Sequence, residues 1–291
     1  MSWRIVVISQ RAKLDYQLGY LVVRQSEITR INLSEISTLI IESTAVSITT
    51  RLLAELTRNK VKVIFCDEKK NPSSELVAYY GCHDTSNKVR RQIAWSNSIK
   101  EAVWTEIVTE KIRQQRELLI RMKKPEEADL LGEYVRDMEW NDASNREGHA
   151  AKVYFNALFG KDFTRTADTC LNAALNYGYS IVLSAFTREI VANGYITQLG
   201  LFHDNMFNQF NLASDLMEPF RIVVDEEVVH MMPRQFEHEE KLRLVDILNH
   251  EVKIDGKTQY VNNAVKIYCR SVFDALNEND LSLIRFCNYE L

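Results

Sequence analysis

The sequence predicts an α+β protein, with a small N-terminal β domain followed by a larger all-α domain. Two observations carry that expectation. Before residue 67 the apolar residues come in short runs rich in Ile, Val and aromatics, separated by polar turns. After residue 88 they recur at helical spacing almost to the C-terminus, interrupted only by Pro125, Pro219 and Pro233. The length of 291 residues suits one large or two ordinary domains, and 46% hydrophobic residues suffice for a real core.

Taken in order, residues 3–9, 20–24, 28–32 and 38–41 read as strands, because β-branched and aromatic side chains fit a pleated, half-buried surface. Residues 47–59 read as a helix. Ile48, Leu52, Leu53 and Leu56 share helical spacing, Ser47 or a neighbour caps the start, and Asn59 ends it. Residues 61–66 return to strand. Residues 67–74 are polar and contain Pro72, which marks a linker or an exposed hairpin, and a second polar run covers 83–88. The expected organisation is a β domain at 1–75, a linker at 76–88 and a helical domain at 89–291, with no internal repeat and no low-complexity segment.

No run approaches the roughly 18 apolar residues of a membrane span, and the start lacks the layout of a signal peptide, so a cytoplasmic location is expected. Cys66, Cys82, Cys170, Cys269 and Cys287 are scattered without a CxxC pair, a pattern of buried thiols rather than of disulfides or zinc. The net charge of −4 gives nucleic-acid binding no general support. Its distribution is more informative. Residues 88–124 hold ten basic residues against four acidic ones, whereas residues 125–147 hold two against eight. That polarity suits a phosphate-binding face beside a cation-binding one, or an ordinary solvated helix pair.

Three separated stretches carry chemistry: Asn145-Arg146-Glu147-Gly148, His203-Asp204-Asn205, and Asp215 to Arg221. Two carboxylates and an imidazole brought together would form a hard-metal site with open positions, which suits phosphodiester chemistry. Each has a plainer reading alone. Glu147 opens a helix capped by Asn145 or Ser144, where the helix dipole favours a carboxylate without any function. His203 follows an apolar run at a turn, where a structural histidine is common. Asp215 and Glu218 at i and i+3 share a helix face that Pro219 ends or kinks, so both could address one cation, with Arg221 pairing to them or to a phosphate; a helix-terminal salt bridge explains them equally.

The stretches occur together, in order and with their flanks. Asn145-Arg146-Glu147-Gly148-His149-Ala150-Ala151-Lys152-Val153-Tyr154-Phe155, Asn172-Ala173-Ala174-Leu175-Asn176-Tyr177-Gly178-Tyr179, Leu199-Gly200-Leu201-Phe202-His203 and Asp215-Leu216-Met217-Glu218-Pro219-Phe220-Arg221, with Asp225 beyond, resemble the CRISPR-associated integrase family, the larger subunit of the spacer-acquisition complex. The resemblance extends to Ile31 through Ile41 and to Val63-Ile64-Phe65-Cys66-Asp67. Chain length and the wording from Asp215 to Arg221 are most similar to the type II-A branch.

The resemblance implies a homodimerising β domain, an α-helical catalytic domain, and Glu147, His203 and Glu218 as catalytic ligands of Mg²⁺ or Mn²⁺. Asp215 aligns with a further acidic position of the family's site, as a ligand or as a support of it, Glu218 stands where the family often has Asp, and Arg221 is a further candidate support. The implied reaction is attack by the 3′-OH ends of a short duplex on the CRISPR repeat. The implied partners are double-stranded DNA and a dimer of the smaller adaptation subunit flanked by two dimers of this chain. Charge alone nominates Arg113, Arg116 and Lys123 as DNA contacts. A purely hydrolytic metal-dependent nuclease and a non-catalytic DNA-binding scaffold are the competing readings.

Overall fold

The computed structural model describes residues 4–78 and 82–289, and the chain divides between residues 81 and 82 into two compact units. The first contains β1 (Arg4–Ile8), β2 (Ala12–Gln17), β3 (Tyr20–Arg24), β4 (Ile28–Asn32), β5 (Ile36–Ile41), β6 (Val46–Ile48), α1 (Thr50–Arg58), β7 (Lys62–Cys66) and β8 (Pro72–Leu76). One sheet has the order β1-β5-β7-β8, parallel except for β8. The other has the order β4-β3-β2-β6, antiparallel except for the β2–β6 pair. Side chains two apart on a strand share a face, so Val6 and Ile8, Leu21 and Val23, and Leu39 and Ile41 join Leu14 and the helical pair Leu52 and Leu56 in one core.

Several expectations shift here. Trp3 lies outside the described residues, and β1 takes residues 4–8 of the first expected strand. Ser47 and Ile48 belong to β6 rather than to the helix, because Ile48 pairs with Leu14; the cap is Thr49, whose hydroxyl accepts from Leu52 N at 3.3 Å. Residues 67–76 form an exposed hairpin, with Asp67 accepting from Asn71 N at 2.9 Å ahead of β8. Of the expected linker 76–88, residues 79–81 lie outside the described residues and its last four belong to the next helix.

The second unit contains α2 (Thr85–Ala94), α3 (Asn97–Arg121), α4 (Pro125–Arg136), α5 (Arg146–Phe159), α6 (Cys170–Ala192), α7 (Asn211–Leu216), α8 (Arg221–Met231), α9 (His238–Asp246), β9 (Glu251–Ile254), β10 (Lys257–Tyr260), α10 (Val261–Glu278) and β11 (Cys287–Asn288). Helices α3, α6 and α10 are buried along much of their length, through residues such as Val103, Ile107 and Ile112, Val182, Phe186 and Ile190, and Val265, Tyr268 and Val272. Enclosing α3 on several sides carries the polar residue Lys111 into the interior with it. At Gly178 a Cβ would lie 2.4 Å from Val224 Cγ1, so the glycine is what lets α6 and α8 approach.

The expectation of an all-α second domain is corrected by a small sheet of order β10-β9-β11. Asp255 and Gly256, with φ of 52° and 71°, make the two-residue turn between Ile254 and Lys257. Asp-Gly is the pair that tolerates such a turn, and buried Val252 and Ile254 alternate with exposed Glu251 and Lys253 in strand fashion. Among the described residues no helix is long and apolar enough to cross a membrane.

Candidate metal centre

Glu147 is set by the entry of α5. Asn145 sits at the cap position with φ of 53° but makes no side-chain cap bond; instead Asp142 accepts from Arg146 N at 2.6 Å and Glu147 N at 3.1 Å. The expected cap at Asn145 or Ser144 is therefore supplied from further upstream, because the left-handed backbone at Asn145 turns its side chain onto Gly148. Glu218 is set by a break. Pro219 has no N–H to continue α7, so residues 218–220 form a 3₁₀ turn and α8 restarts at Arg221.

These two carboxylates meet on one cation. The Lys111 ammonium, on α3, pairs closely with Glu147 Oε1 and lies 2.6 Å from Glu218 Oε2, while Arg221 Nε lies 3.0 Å from the same oxygen. The Arg221 guanidinium rests 4.6 Å over the Tyr179 ring, which fixes it on one side of Glu218. Burial works to raise the Glu218 carboxyl, and the charges of Arg221 and Lys111 outweigh it, bringing it down to about 2. Burial works to lower the Lys111 ammonium, and Glu218 and Glu147 together hold it above its ordinary value.

Asp215 and Glu218, at i and i+3 across the junction of α7 and the 3₁₀ turn, take different partners. Asp215 is fully buried and turned to the loop before it: Oδ2 accepts from Leu201 N at 2.6 Å and Phe202 N at 3.1 Å, and Oδ1 accepts from His203 N at 3.1 Å and pairs with His203 Nδ1 at 2.5 Å. Gly200 leaves room for this, since a Cβ there would lie 2.7 Å from Asp215 Oδ2 and 2.3 Å from the His203 carbonyl. The carboxylate thus orients the imidazole and leaves Nε2 as its available ligand atom. The hydrogen bond to Asp215 is the main reason the His203 pKa is raised, with Glu218 and Glu147 adding to it through space.

The donor atoms of Glu147, His203 and Glu218 do not all lie within 4.8 Å of one another, whereas among the described residues those of Cys82, His83 and Asp84 do. Those three are neighbours in the chain, and Cys82 Sγ donates to Asp84 Oδ1 at 2.8 Å. The fit of a divalent ion at the glutamates rests on a different observation: two carboxylates already converge on a buried positive charge, and both are oxygen donors of the kind Mg²⁺ and Mn²⁺ take.

Behind Arg221, Asp225 is buried with Tyr154 donating to Oδ2 at 3.0 Å and Tyr179 donating closely to Oδ1. Burial pushes the Asp225 carboxyl up to about 6 despite both donors. Because the folded carboxyl then binds its proton more tightly than the unfolded one, its ionisation opposes folding, and stability contributed here falls as pH rises from 4 through 6. Asp225→Asn removes that dependence. Its stability relative to wild type is expected to rise by about 2–3 kcal/mol between pH 4 and pH 7 in urea melts; a pH-independent difference would contradict the shift.

Sequence reasoning missed Lys111 as a site residue and counted it with the basic stretch. Its own segment, Thr109-Glu110-Lys111-Ile112-Arg113, offers no signal that sets it apart from a surface lysine. The remaining candidates lie elsewhere on α3 and just past it. Arg113 pairs with Glu110 and Arg116 with Glu117, and both arginines line a cavity of about 570 Å³ together with Arg121 and Arg136. Lys123 lies just beyond the end of α3, with φ of 59°.

Fold and site together define a class: a β-rich unit joined to a largely helical one that carries two glutamates on a buried cation and a histidine braced by aspartate. The chain belongs to the family described as CRISPR associated protein Cas1, whose family model matches residues 5–244. It is 34% identical over 232 residues to the CRISPR-associated endonuclease Cas1 of Neisseria meningitidis serogroup C (strain 8013), a match covering 79% of this chain and 76% of that protein. In fold it is similar to a casposase bound to integration product, with TM-score 0.78, 17% identity and coverage of 95% and 91% of the two chains. It is also similar to a chain of a Cas6-RT-Cas1–Cas2 complex, with TM-score 0.75, 18% identity and coverage of 99% of this chain and 36% of that one. The family is one of enzymes of CRISPR adaptation, and its members are named endonucleases.

Proposed function

We propose that this protein is the integrase of CRISPR adaptation, joining the 3′-OH ends of short duplex DNA to a CRISPR repeat by transesterification with Mg²⁺ or Mn²⁺ held by Glu147, His203 and Glu218. The observation that carries the reading is the convergence of Glu147 and Glu218, from two separate elements, on a single buried positive charge. A bound divalent ion would polarise the scissile phosphate and lower the pKa of the incoming hydroxyl. The protein's share is positioning: Asp142 holds Glu147 at the head of α5, Asp215 holds the imidazole by Nδ1, and Arg221 on the Tyr179 ring steadies Glu218. Exchange of one phosphodiester for another is nearly isoenergetic, so geometry and charge neutralisation do most of what is required.

Two such sites are needed across a repeat, which a symmetric assembly supplies. In this reading the first unit, expected at 1–75, forms the homodimer, the helical unit is catalytic, and two dimers flank a dimer of the smaller adaptation subunit. Likeness to the casposase and to the Cas1–Cas2 complex supports the integrase and partner assignments. Placement in the type II-A branch rests on chain length and the Asp215 to Arg221 wording, and a cytoplasmic location on the chromosomal DNA that the proposed reaction acts on.

A strand-transfer assay with the partner subunit, Mn²⁺ and a repeat-bearing plasmid tests the proposal. Joined products are expected; cleavage without joining favours the hydrolytic nuclease, and duplex binding with neither product favours the scaffold. The DNA-binding residues have their own test. Neutralising Arg113, Arg116 and Lys123 is expected to weaken binding to any duplex and to reduce the slope of log affinity against log salt by roughly one unit for each phosphate interaction removed. An unchanged slope would leave these residues as a solvated face.

A further inference from the structure

Among the described residues, Lys111 is the one whose side chain pairs with both carboxylates of the proposed centre, and it is 7% exposed. Two glutamates brought this close repel each other, and the ammonium between them removes that repulsion. It does so by occupying Glu147 Oε1 and Glu218 Oε2, lone-pair positions that a divalent ion would also take. Arg221 does not play this part, since it pairs with Glu218 and is anchored on the Tyr179 ring.

We propose that the Lys111 ammonium is a built-in stand-in for the metal, which keeps the Glu147 and Glu218 carboxylates together in the ion-free protein and is exchanged for the divalent ion when it binds. The inference rests on the metal-centre reading above. A lysine suits exchange better than an arginine, because its compact charge sits on a flexible four-carbon stem instead of a planar fork. The exchange also selects for valence. A monovalent ion would replace the ammonium with equal charge and no N–H donors, whereas a divalent ion brings a second charge to two carboxylates.

The competition has a measurable consequence. A unit positive charge roughly 5 Å from a divalent ion is worth about a factor of ten in affinity even at the dielectric constant of water. Lys111→Met and Lys111→Gln are therefore expected to bind Mn²⁺ about tenfold or more tightly than wild type by titration calorimetry of metal-free protein, and Lys111→Arg no more tightly than wild type. Thermal melts give a second readout. In EDTA the Met and Gln variants should melt below wild type, and saturating Mn²⁺ should close the gap, since the ion then does what the ammonium did. A purely structural lysine would leave the same gap in both conditions. A variant that folds only with Mn²⁺ supports the exchange, and one that fails to fold in either condition counts against it.

Glu147→Ala separates the two levels of the claim. Mn²⁺ binding that survives Glu147→Ala overturns the metal-centre reading and this inference with it. Binding abolished in Glu147→Ala but unchanged or weaker in Lys111→Met overturns the exchange alone.

Discussion

Asp215→Ala is expected to cost about 3–5 kcal/mol of stability and to abolish strand transfer, although Asp215 is not proposed as a ligand. Its carboxylate accepts three backbone N–H groups, from Leu201, Phe202 and His203, and pairs with His203 Nδ1. Truncation leaves those donors without their acceptor, that of Leu201 in a buried position, and the loop that presents the imidazole loses its brace. The pH dependence follows in sign. The His203 pKa is raised mainly by this hydrogen bond, so the pair stabilises the fold fully below the unfolded value of 6.5 and the contribution is lost as pH rises through the folded value. The penalty of Asp215→Ala should therefore be larger at pH 6 than at pH 8, and the imidazole resonances of the metal-free variant should titrate lower than those of wild type. A variant as stable as wild type, with His203 unmoved, would remove the assigned role.

Glu218→Ala is expected to lose at least about 10²–10³-fold in strand transfer and about 3–5 kcal/mol in stability. The two losses have different origins. The first is removal of a proposed ligand, readable separately as abolished Mn²⁺ binding. The second arises because Lys111 loses one of its two carboxylates and Arg221 the carboxylate it pairs with, leaving positive charge buried with less compensation. Because the Glu218 pKa is lowered to about 2, its stabilisation is present above 4.5 and is lost as pH falls toward 2. The gap between wild type and Glu218→Gln in denaturant melts should accordingly narrow in acid. Near-normal strand transfer by Glu218→Ala would sink the ligand assignment.

The division into a β-rich and a largely helical unit was legible because hydrophobic periodicity is local. The period changes from two to 3.6 between the residues of β7 and those of α3, and no long-range information is needed to see it. β2 and β6 were missed for the complementary reason. β2 alternates, yet Lys13 and Asp15 break its apolar signal, and β6 is three residues long and exists because Leu14 lies opposite Ile48. The Asp255-Gly256 turn was present in the sequence, and the surrounding helices masked it.

Glu147, His203, Glu218, Asp215 and Arg221 were all named from the sequence, through motif wording and order, but their division of labour was not. Helical spacing assigned Asp215 and Glu218 to one face. Their partners differ, since one holds an imidazole and the other a buried ammonium. Lys111 was invisible as a site residue because it lies 36 positions from Glu147 and 107 from Glu218, and little in its own segment distinguishes it from a surface lysine. By itself, then, the sequence determined the type of most elements, the order of the two units and the chemical groups available. Only the tertiary structure decided which groups face one another, because burial of α3 among its neighbours, a cooperative property of packing, is what carries one charge inward and makes two distant carboxylates answer to it.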